Sequence, residues 1–201
     1  MSGQKALLNA FTLARIPIAL LLFCWLFATD YNTTSLIVAL ILMASIELGD
    51  LLDGFLARRY NLVSELGATL DPYADSIARL IIYSALAYDN LALMAVPIVM
   101  AIRDITVAYS RIIITRAGKS ASAKWSGKIK AVVQAVGAFL LILSPVIWPV
   151  KQQSFLEAFL FTNIFKPIPV QIISWIVIIV TMLSMIEYVV RALPAIRKQI
   201  T

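Results

Sequence analysis

The sequence predicts an all-α integral membrane protein with six transmembrane helices. Of its 201 residues, 61% are hydrophobic and only 14% are charged, whereas soluble domains average about 45–50% apolar and about 25% charged residues. The mean hydropathy is +0.90. A spanning helix needs about 20 apolar residues, so this length holds about six of them with short loops. We therefore expect residues 1–201 to form a single membrane domain.

The expected helices follow the apolar stretches of the chain. They run from about Lys5 to Ala28, Thr34 to Arg59, the region of Pro72 to Tyr88, Leu91 to Arg116, Ser126 to Trp148, and Ile168 to Leu193. The first stretch is too long for the apolar part of a secretory signal, so we expect it to be retained. Pro17 is expected to bend it. Residues 60–70 should form a connecting turn, and residues 155–165 an amphipathic segment in the loop on the opposite membrane face.

The basic residues predict the orientation of the chain. With six spans, both termini and the loops near residues 58–70 and 116–130 share one side, and that side carries most of the lysines and arginines. The positive-inside rule makes this side cytoplasmic. We therefore expect a polar active-site cavity facing the cytoplasm, in a bacterial-type cytoplasmic membrane. The net charge of +6 then reflects loop orientation and anionic headgroups rather than nucleic-acid binding.

Four carboxylates stand out in this apolar chain. Asp50 and Asp53 are three residues apart, and Asp71 and Asp75 are four apart, so each pair would share one helix face. Ionisable groups at a membrane are costly and by default mark a functional site. The chain contains no histidine, and an all-carboxylate set favours Mg²⁺ or Mn²⁺ over zinc. Asp75, the innermost of the four, is the most plausible general base.

Residues around the carboxylates indicate a diphosphate ligand. Gly54 and Ala57 are small enough to allow close approach of a ligand, although helix packing explains this pair equally well. Arg58 follows them, and arginine binds phosphate oxygens in bidentate fashion. In the first helix Asn9, Thr12 and Arg15 recur at a spacing of three. They either extend the polar site or cap the helix, with Arg15 reaching to headgroups.

At this point the sequence resembles a known family. The pattern D-x2-D-G-x2-A-R-x8-G-x3-D-x3-D is similar to the signature of the CDP-alcohol phosphatidyltransferases, and every fixed position matches. The matching residues are Asp50, Asp53, Gly54, Ala57, Arg58, Gly67, Asp71 and Asp75. The spacing Asn9-x2-Thr12-x2-Arg15 is similar to the family's first-helix pattern.

The resemblance implies transfer of a phosphatidyl group from CDP-diacylglycerol, or a related CDP-linked lipid, to an alcohol with release of CMP. It also implies a two-metal centre of Mg²⁺ (or Mn²⁺) held by Asp50, Asp53 and Asp71, with Asp75 as both ligand and base. Gly54, Ala57 and Gly67 would make room for the cytidine. Asn9, Thr12, Arg15 and Arg58 would complete the CDP-lipid site, and the enzyme would be a homodimer.

Basic residues in the third to fifth helices indicate an acceptor that carries its own phosphate. They are Arg79, Arg103, Arg111, Lys124 and Lys128. The Arg103-Asp104 pair and the stretch from Ser126 to Gln134 are similar to patterns of phosphatidylglycerophosphate synthases, although Asp104 and Ser76 stand where glutamate and lysine are usual there. Glycerol-3-phosphate is the favoured acceptor. The alternatives are inositol phosphate and then inositol, serine or choline.

A cation or metabolite transporter is the alternative from a different functional class. Such a protein would use the same carboxylates as an ion site. The sequence shows no evident inverted repeat and no matching pair of glycine- or proline-broken helices at mid-membrane, which are typical of transporters. The carboxylates also gather at one membrane face rather than along a pathway.

Overall fold

The computed structural model describes residues 2–29, 32–60, 62, 64–118, 125–147 and 168–200, without the side chains of Ser2, Arg58 and residues 196–200. The regular structure in this part of the chain is entirely helical. Its helices are α1 (Ser2–Leu13), α2 (Arg15–Ala28), α3 (Thr33–Arg59), α4 (Glu65–Tyr88), α5 (Ala95–Arg116), α6 (Trp125–Ile147) and α7 (Ile168–Ile200). The expected all-α class is confirmed.

The first expected helix is divided into α1 and α2 at Ala14. Pro17 lacks the N–H that would bond to the Leu13 carbonyl, and its ring crowds that carbonyl. The helix is interrupted three residues before the proline, at Ala14, whose backbone stays in the right-handed helical region. Gly3–Ala28 as a whole is still long and apolar enough to cross a membrane as one span, and the interruption at Ala14 places Arg15 at the first position of α2.

The expected turn over residues 60–70 was also wrong in its second half. Helix α4 already begins at Glu65, because the Ser64 hydroxyl caps it by accepting a hydrogen bond from the Gly67 N–H at 3.0 Å. This is the usual N-cap arrangement. Gly67 therefore lies in the first turn of α4, and Pro72 lies inside the helix rather than at its start.

Four segments are long and apolar enough to cross a membrane. They are Gly3–Ala28, Thr33–Ala57, Trp125–Ile147 and Ile168–Ala195. Helices α4 and α5 are less apolar because they carry ionisable residues, yet Arg79 and Arg103 on them are only 5% and 7% exposed. Charged side chains that point into the bundle are the expected arrangement in a membrane protein. The chain is an integral membrane protein.

Helix packing holds the polar residues in the interior. Helix α7 packs on α5 and α6, and α2 packs on α3 and α4. Tyr83, Leu86 and Leu141 are fully buried in the core between them. Many large apolar side chains, such as Ile41 and Ile105, are exposed on the outside of the bundle, which is the surface that lipid would cover. The expected amphipathic segment at residues 155–165 lies outside the described residues.

We expect Gly137→Ala to destabilise the bundle. A Cβ at Gly137 would lie 2.8 Å from Val177 Cγ2 and 2.9 Å from the Tyr83 hydroxyl, which itself donates to the Gln134 carbonyl. Overpacking of this kind costs about 1–3 kcal/mol, which exceeds the helix-propensity gain from alanine. Thermal unfolding in detergent measures the loss. Gly49→Ala is the matched control, because nothing lies within 4 Å of its Cβ position; equal melting temperatures for the two variants would contradict the packing account.

Candidate active site

Three of the four predicted carboxylates converge on one point. Asp50 and Asp53 project from the end of α3, and Asp71 projects from the second turn of α4. One carboxylate oxygen from each lies within 4.8 Å of the others. Asp53 is only 4% exposed, whereas the side chain of Asp71 is about half exposed. The three-carboxylate group is therefore buried at Asp53 and open to solvent at Asp71.

Arg15 places its guanidinium among these three carboxylates. Its Nη1 donates to Asp50 Oδ1 at 2.6 Å, and its Nη2 donates to Asp71 Oδ1 at 2.8 Å and to Asp53 Oδ2. Thr12 Oγ1 also donates to Asp53 Oδ2, at 2.9 Å. The predicted first-helix residues thus lie at the carboxylates, and Arg15 is buried rather than directed to headgroups.

A cavity of about 130 Å³ opens beside the carboxylates. Its wall consists of Leu8, Asn9, Thr12, Asp53, Gly54, Ala57, Leu62, Ser64, Gly67, Ala68 and Asp71. A Cβ on Gly67 would lie 3.0 Å from Ser64 Oγ and 3.1 Å from Asn9 Oδ1. The three small residues of the sequence prediction, Gly54, Ala57 and Gly67, all line this cavity. The Arg58 side chain lies outside the described residues.

Asp75 belongs to a neighbouring ion-pair network. Arg79 Nε donates to Asp75 Oδ1 at 2.7 Å, Nη2 to Glu47 Oε2 at 3.1 Å and Nη1 to the Ala131 carbonyl at 2.7 Å. Asp75 is not part of the three-carboxylate group, although it lies on α4 one helical turn after Asp71. Each nitrogen of Arg79 is engaged within the protein, so this guanidinium orients Asp75 and Glu47.

The carboxylates outnumber the cations in this region. Among the side chains that the structure describes, which do not include that of Arg58, two guanidinium groups, Arg15 and Arg79, pair with five carboxylates: Glu47, Asp50, Asp53, Asp71 and Asp75. The formal excess of three negative charges in a partly buried site favours bound cations, because buried charge requires compensation. The donors are all carboxylate oxygens, which Mg²⁺ and Mn²⁺ prefer. A guanidinium held among three of these groups shows that they already accept a cation at that point.

A second polar cluster joins α5, α6 and α7. Asp104 Oδ1 accepts hydrogen bonds from Arg103 Nη1 at 2.8 Å and from Lys130 Nζ at 2.9 Å. Arg103 Nη2 donates to Ser184 Oγ at 2.7 Å. The Arg103 and Lys130 side chains are both nearly inaccessible. Two cations thus share one carboxylate, which leaves an excess of positive charge inside the bundle.

Arg111 extends this basic cluster. Its Nη2 donates to the Tyr188 hydroxyl at 3.1 Å, and its Cζ lies 5.2 Å from the centre of the Tyr188 ring, which Arg103 also faces at 5.7 Å. The Nε atoms of Arg103 and Arg111 are buried without a hydrogen-bond acceptor. The two predicted arginines therefore lie at the same tyrosine, and each has an Nε donor without an acceptor. Such donors could bind an anion.

The two predicted lysines are placed differently. Lys128 is exposed, and its Nζ lies 5.4 Å from the centre of the Trp125 ring. Lys124 lies outside the described residues. Lys130, which the sequence analysis did not single out as a site residue, lies in the basic cluster instead.

Several partners in these networks were missed by sequence reasoning. Glu47, Lys130, Ser184 and Tyr188 each contact a predicted arginine or its carboxylate partner. One signal was available for α7. Thr181, Ser184 and Tyr188 follow one another by three and four residues, which puts them on one face of α7. Thr181 accepts from Gln134 Nε2 at 3.0 Å on that face.

Comparison with known proteins identifies the family to which the chain belongs. The family model described as CDP-alcohol phosphatidyltransferase matches residues 6–185. A probable phosphatidylglycerophosphate synthase of Mycobacterium tuberculosis is 33% identical over 146 residues, which cover 69% of this chain and 67% of the relative. The CDP-diacylglycerol–glycerol-3-phosphate 3-phosphatidyltransferase of Salmonella choleraesuis is 32% identical over 146 residues, which cover 71% and 78%. A protein of that same name from Mycoplasma genitalium is 32% identical over 118 residues, which cover 59% and 49%.

Proposed function

We propose that this chain, which belongs to the CDP-alcohol phosphatidyltransferase family, transfers the phosphatidyl group of CDP-diacylglycerol to glycerol-3-phosphate and releases CMP. The names of its relatives support this acceptor. Membership of an enzyme family favours this reaction over the transporter alternative. The remaining alternatives are the same transfer to inositol phosphate or to inositol, serine or choline.

The position of Asp75 between the two charged clusters carries the proposal. On one side, Asp75 lies one helical turn after Asp71 of the carboxylate group on α4. On the other side, it accepts a hydrogen bond from Arg79 Nε at 2.7 Å, and Arg79 Nη1 donates to the carbonyl of Ala131, the residue that follows Lys130 of the basic cluster. A transferase of this type must bring a metal-bound diphosphate and a phosphorylated alcohol together at one base. Separate acidic and basic clusters with a carboxylate between them supply that arrangement.

The protein's own groups have distinct parts in this reaction. Asp50, Asp53 and Asp71 would hold Mg²⁺ or Mn²⁺, two ions in all, with Asp75 completing the ligand set. A divalent cation held there would supply positive charge to offset that of the diphosphate and of the departing CMP. Gly54, Ala57 and Gly67 leave space for the nucleotide, with Asn9, Thr12, Arg15 and Arg58 as its polar partners.

The bond changes require one base. The acceptor hydroxyl forms a bond to the lipid-side phosphorus of the diphosphate, while the bond from this phosphorus to the bridging oxygen breaks and CMP departs with that oxygen. Asp75 accepts the hydroxyl proton as the new bond forms. Arg79, whose donors are engaged by Asp75, Glu47 and a backbone carbonyl, positions that base.

The basic cluster would bind the acceptor's phosphate. Arg103 and Arg111 have unpartnered Nε donors there, and Lys130 adds a third cation. Lys124 and Lys128, in and next to the connection between α5 and α6, would attract the phosphate from solution. Arg79 orients the base from the boundary between the two clusters.

The membrane arrangement is part of the proposal. We place α1 with α2, and each of α3 to α7, as six spans of a single domain over residues 1–201, with the termini and the active site on the cytoplasmic side. There the site meets soluble acceptors, while CDP-diacylglycerol enters from the bilayer. We also propose that the enzyme is a homodimer in a bacterial-type cytoplasmic membrane.

A panel of acceptors tests the substrate assignment. Purified protein in vesicles with CDP-diacylglycerol and Mg²⁺ is supplied separately with glycerol-3-phosphate, inositol phosphate, inositol, serine and choline, and lipid products are identified by mass spectrometry. Glycerol-3-phosphate should give the highest kcat/KM. A higher value for another acceptor would replace this assignment but leave the reaction class intact.

We expect Arg111→Gln to raise the KM for glycerol-3-phosphate by about tenfold or more, because a charged hydrogen bond to phosphate contributes about 1.5–3 kcal/mol. The KM for CDP-diacylglycerol should change little, since Arg111 contacts Tyr188 rather than the carboxylate group. Arg116→Gln, at the exposed end of the same helix, is the charge-matched control and should behave like the wild type. Equal changes in both KM values would contradict a phosphate site at Arg111.

A further inference from the structure

The Arg15 guanidinium occupies the place where the proposed cation would bind. It donates to Asp50 Oδ1, Asp53 Oδ2 and Asp71 Oδ1, and these residues form the group of carboxylate oxygens that lie within 4.8 Å of one another. These oxygens use lone pairs to accept hydrogen bonds from the guanidinium. A lone pair engaged in this way binds a divalent ion more weakly. Arg15 and the metal therefore compete for one set of ligands.

Arg15 has a hydrogen-bond donor that its contacts with the three aspartates do not engage. The side chain is 2% exposed, yet its Nε is buried without an acceptor. An unsatisfied buried donor on a charged group is costly, and it leaves one guanidinium edge available. The cavity lined by Thr12, Gly54 and Asp71 lies beside the same carboxylates.

The position of Arg15 in the chain permits a local shift. It is the first residue of α2, directly after the break at Ala14. Pro17 provides no N–H for the Leu13 carbonyl, so one backbone hydrogen bond is missing beside Arg15, while the Ala14 and Ile18 N–H groups still donate to the Ala10 and Ala14 carbonyls. The segment that carries Arg15 is thus a junction between two helices rather than the interior of one.

We propose that Arg15 is an internal counterion that the divalent cation displaces. In the metal-free protein it holds the three aspartates together against their mutual repulsion. When the metal binds, the guanidinium leaves the carboxylates and becomes available to the diphosphate of the CDP-lipid. This deepens the proposed function and depends on it for the identity of that diphosphate, but the competition itself depends only on the carboxylates and Arg15.

Metal affinity without substrate tests the competition. Chelator-treated wild type, Arg15→Gln and Arg15→Lys are titrated with Mn²⁺, and bound metal is followed by the loss of the free Mn²⁺ electron paramagnetic resonance signal. Arg15→Gln should bind Mn²⁺ about tenfold more tightly than the wild type, which is the usual size of such coupling. Arg15→Lys, which keeps the charge but loses the fork, should lie between them. Equal or weaker binding by Arg15→Gln would overturn the proposal.

A charge-matched control separates local competition from general electrostatics. Arg59 lies on α3, exposed, with its Cζ 5.7 Å from the centre of the Phe55 ring. Arg59→Gln removes the same charge near the end of that helix and should leave the Mn²⁺ affinity near the wild-type value. An increase equal to that of Arg15→Gln would overturn a specific role for Arg15.

A second measurement uses the wild-type protein alone, so it does not require any variant to fold. Modification of Arg15 by phenylglyoxal, followed by peptide mass spectrometry, should be slow in chelator and several-fold faster with saturating Mn²⁺. An unchanged rate would overturn displacement. Neither measurement uses CDP-lipid or turnover, so a wrong acceptor or reaction would not alter the results. If the protein showed the Mn²⁺ competition but no transfer activity, only the proposed function would be contradicted.

Discussion

Asp53→Asn should abolish phosphatidyl transfer, lowering kcat/KM by about a thousandfold or more, because metal stabilisation of phosphate charge contributes several kcal/mol. Asp53 is the most buried of the three converging carboxylates, and its Oδ2 accepts from both Thr12 and Arg15. Asparagine has the same shape and keeps an acceptor oxygen, so the fold should survive. CMP release and thermal unfolding, measured on the same preparation, distinguish lost chemistry from lost structure.

Glu65→Gln is the matched control for this variant. Glu65 is an exposed carboxylate in the first turn of α4, on the same side of the bundle but outside the three-carboxylate group. It should retain near-normal activity. An active Asp53→Asn enzyme, or an equal loss in Glu65→Gln, would contradict the assignment of the metal site.

Asp75→Asn should lower kcat by about a hundredfold to ten-thousandfold, the range expected for loss of a general base, while CDP-diacylglycerol still binds. The amide cannot take the acceptor's proton, but it can still accept the hydrogen bond from Arg79 Nε. Single-turnover kinetics together with equilibrium binding of a CDP-lipid measure the two effects separately.

Asp89→Asn makes the same chemical change at the other end of α4, where Asp89 is the C-cap, and should leave turnover unchanged. Retained turnover in Asp75→Asn would remove Asp75 from the role of base. If CDP-lipid binding and turnover were lost together, Asp75 would be chiefly a metal ligand.

The sequence predicted the helices and the carboxylate group because local rules determine both. Apolar length marked the spans, and the spacing of Asp50 and Asp53 on one helix placed them on one face. The start of α4 was missed because Ser64 was not recognised as an N-cap, and Pro72 was taken as the stronger signal. The interruption lies at Ala14 rather than at Pro17 because a proline leaves the carbonyl four residues before it without its helical partner. That carbonyl belongs to Leu13, the residue before Ala14.

The contacts between helices could not be read from spacing. Arg15 and Asp71 are separated by 56 residues, and Arg103 and Ser184 by 81, so only the packed bundle shows that they meet. The sequence placed Arg79 among the acceptor residues, whereas its hydrogen bonds to Asp75, Glu47 and a backbone carbonyl support our proposal that it orients the base. Lys130 was missed for the same reason, since its partner Asp104 lies on a different helix.

We propose that this site joins a CDP-lipid to a phosphorylated alcohol. The most direct measurement supplies the purified protein in vesicles with CDP-diacylglycerol, glycerol-3-phosphate and Mg²⁺, and quantifies CMP and lipid product by mass spectrometry. Our account predicts equimolar CMP and phosphatidylglycerophosphate, with both lost on chelation. Release of CMP with phosphatidic acid instead, or no CMP with any acceptor of the panel, would contradict it.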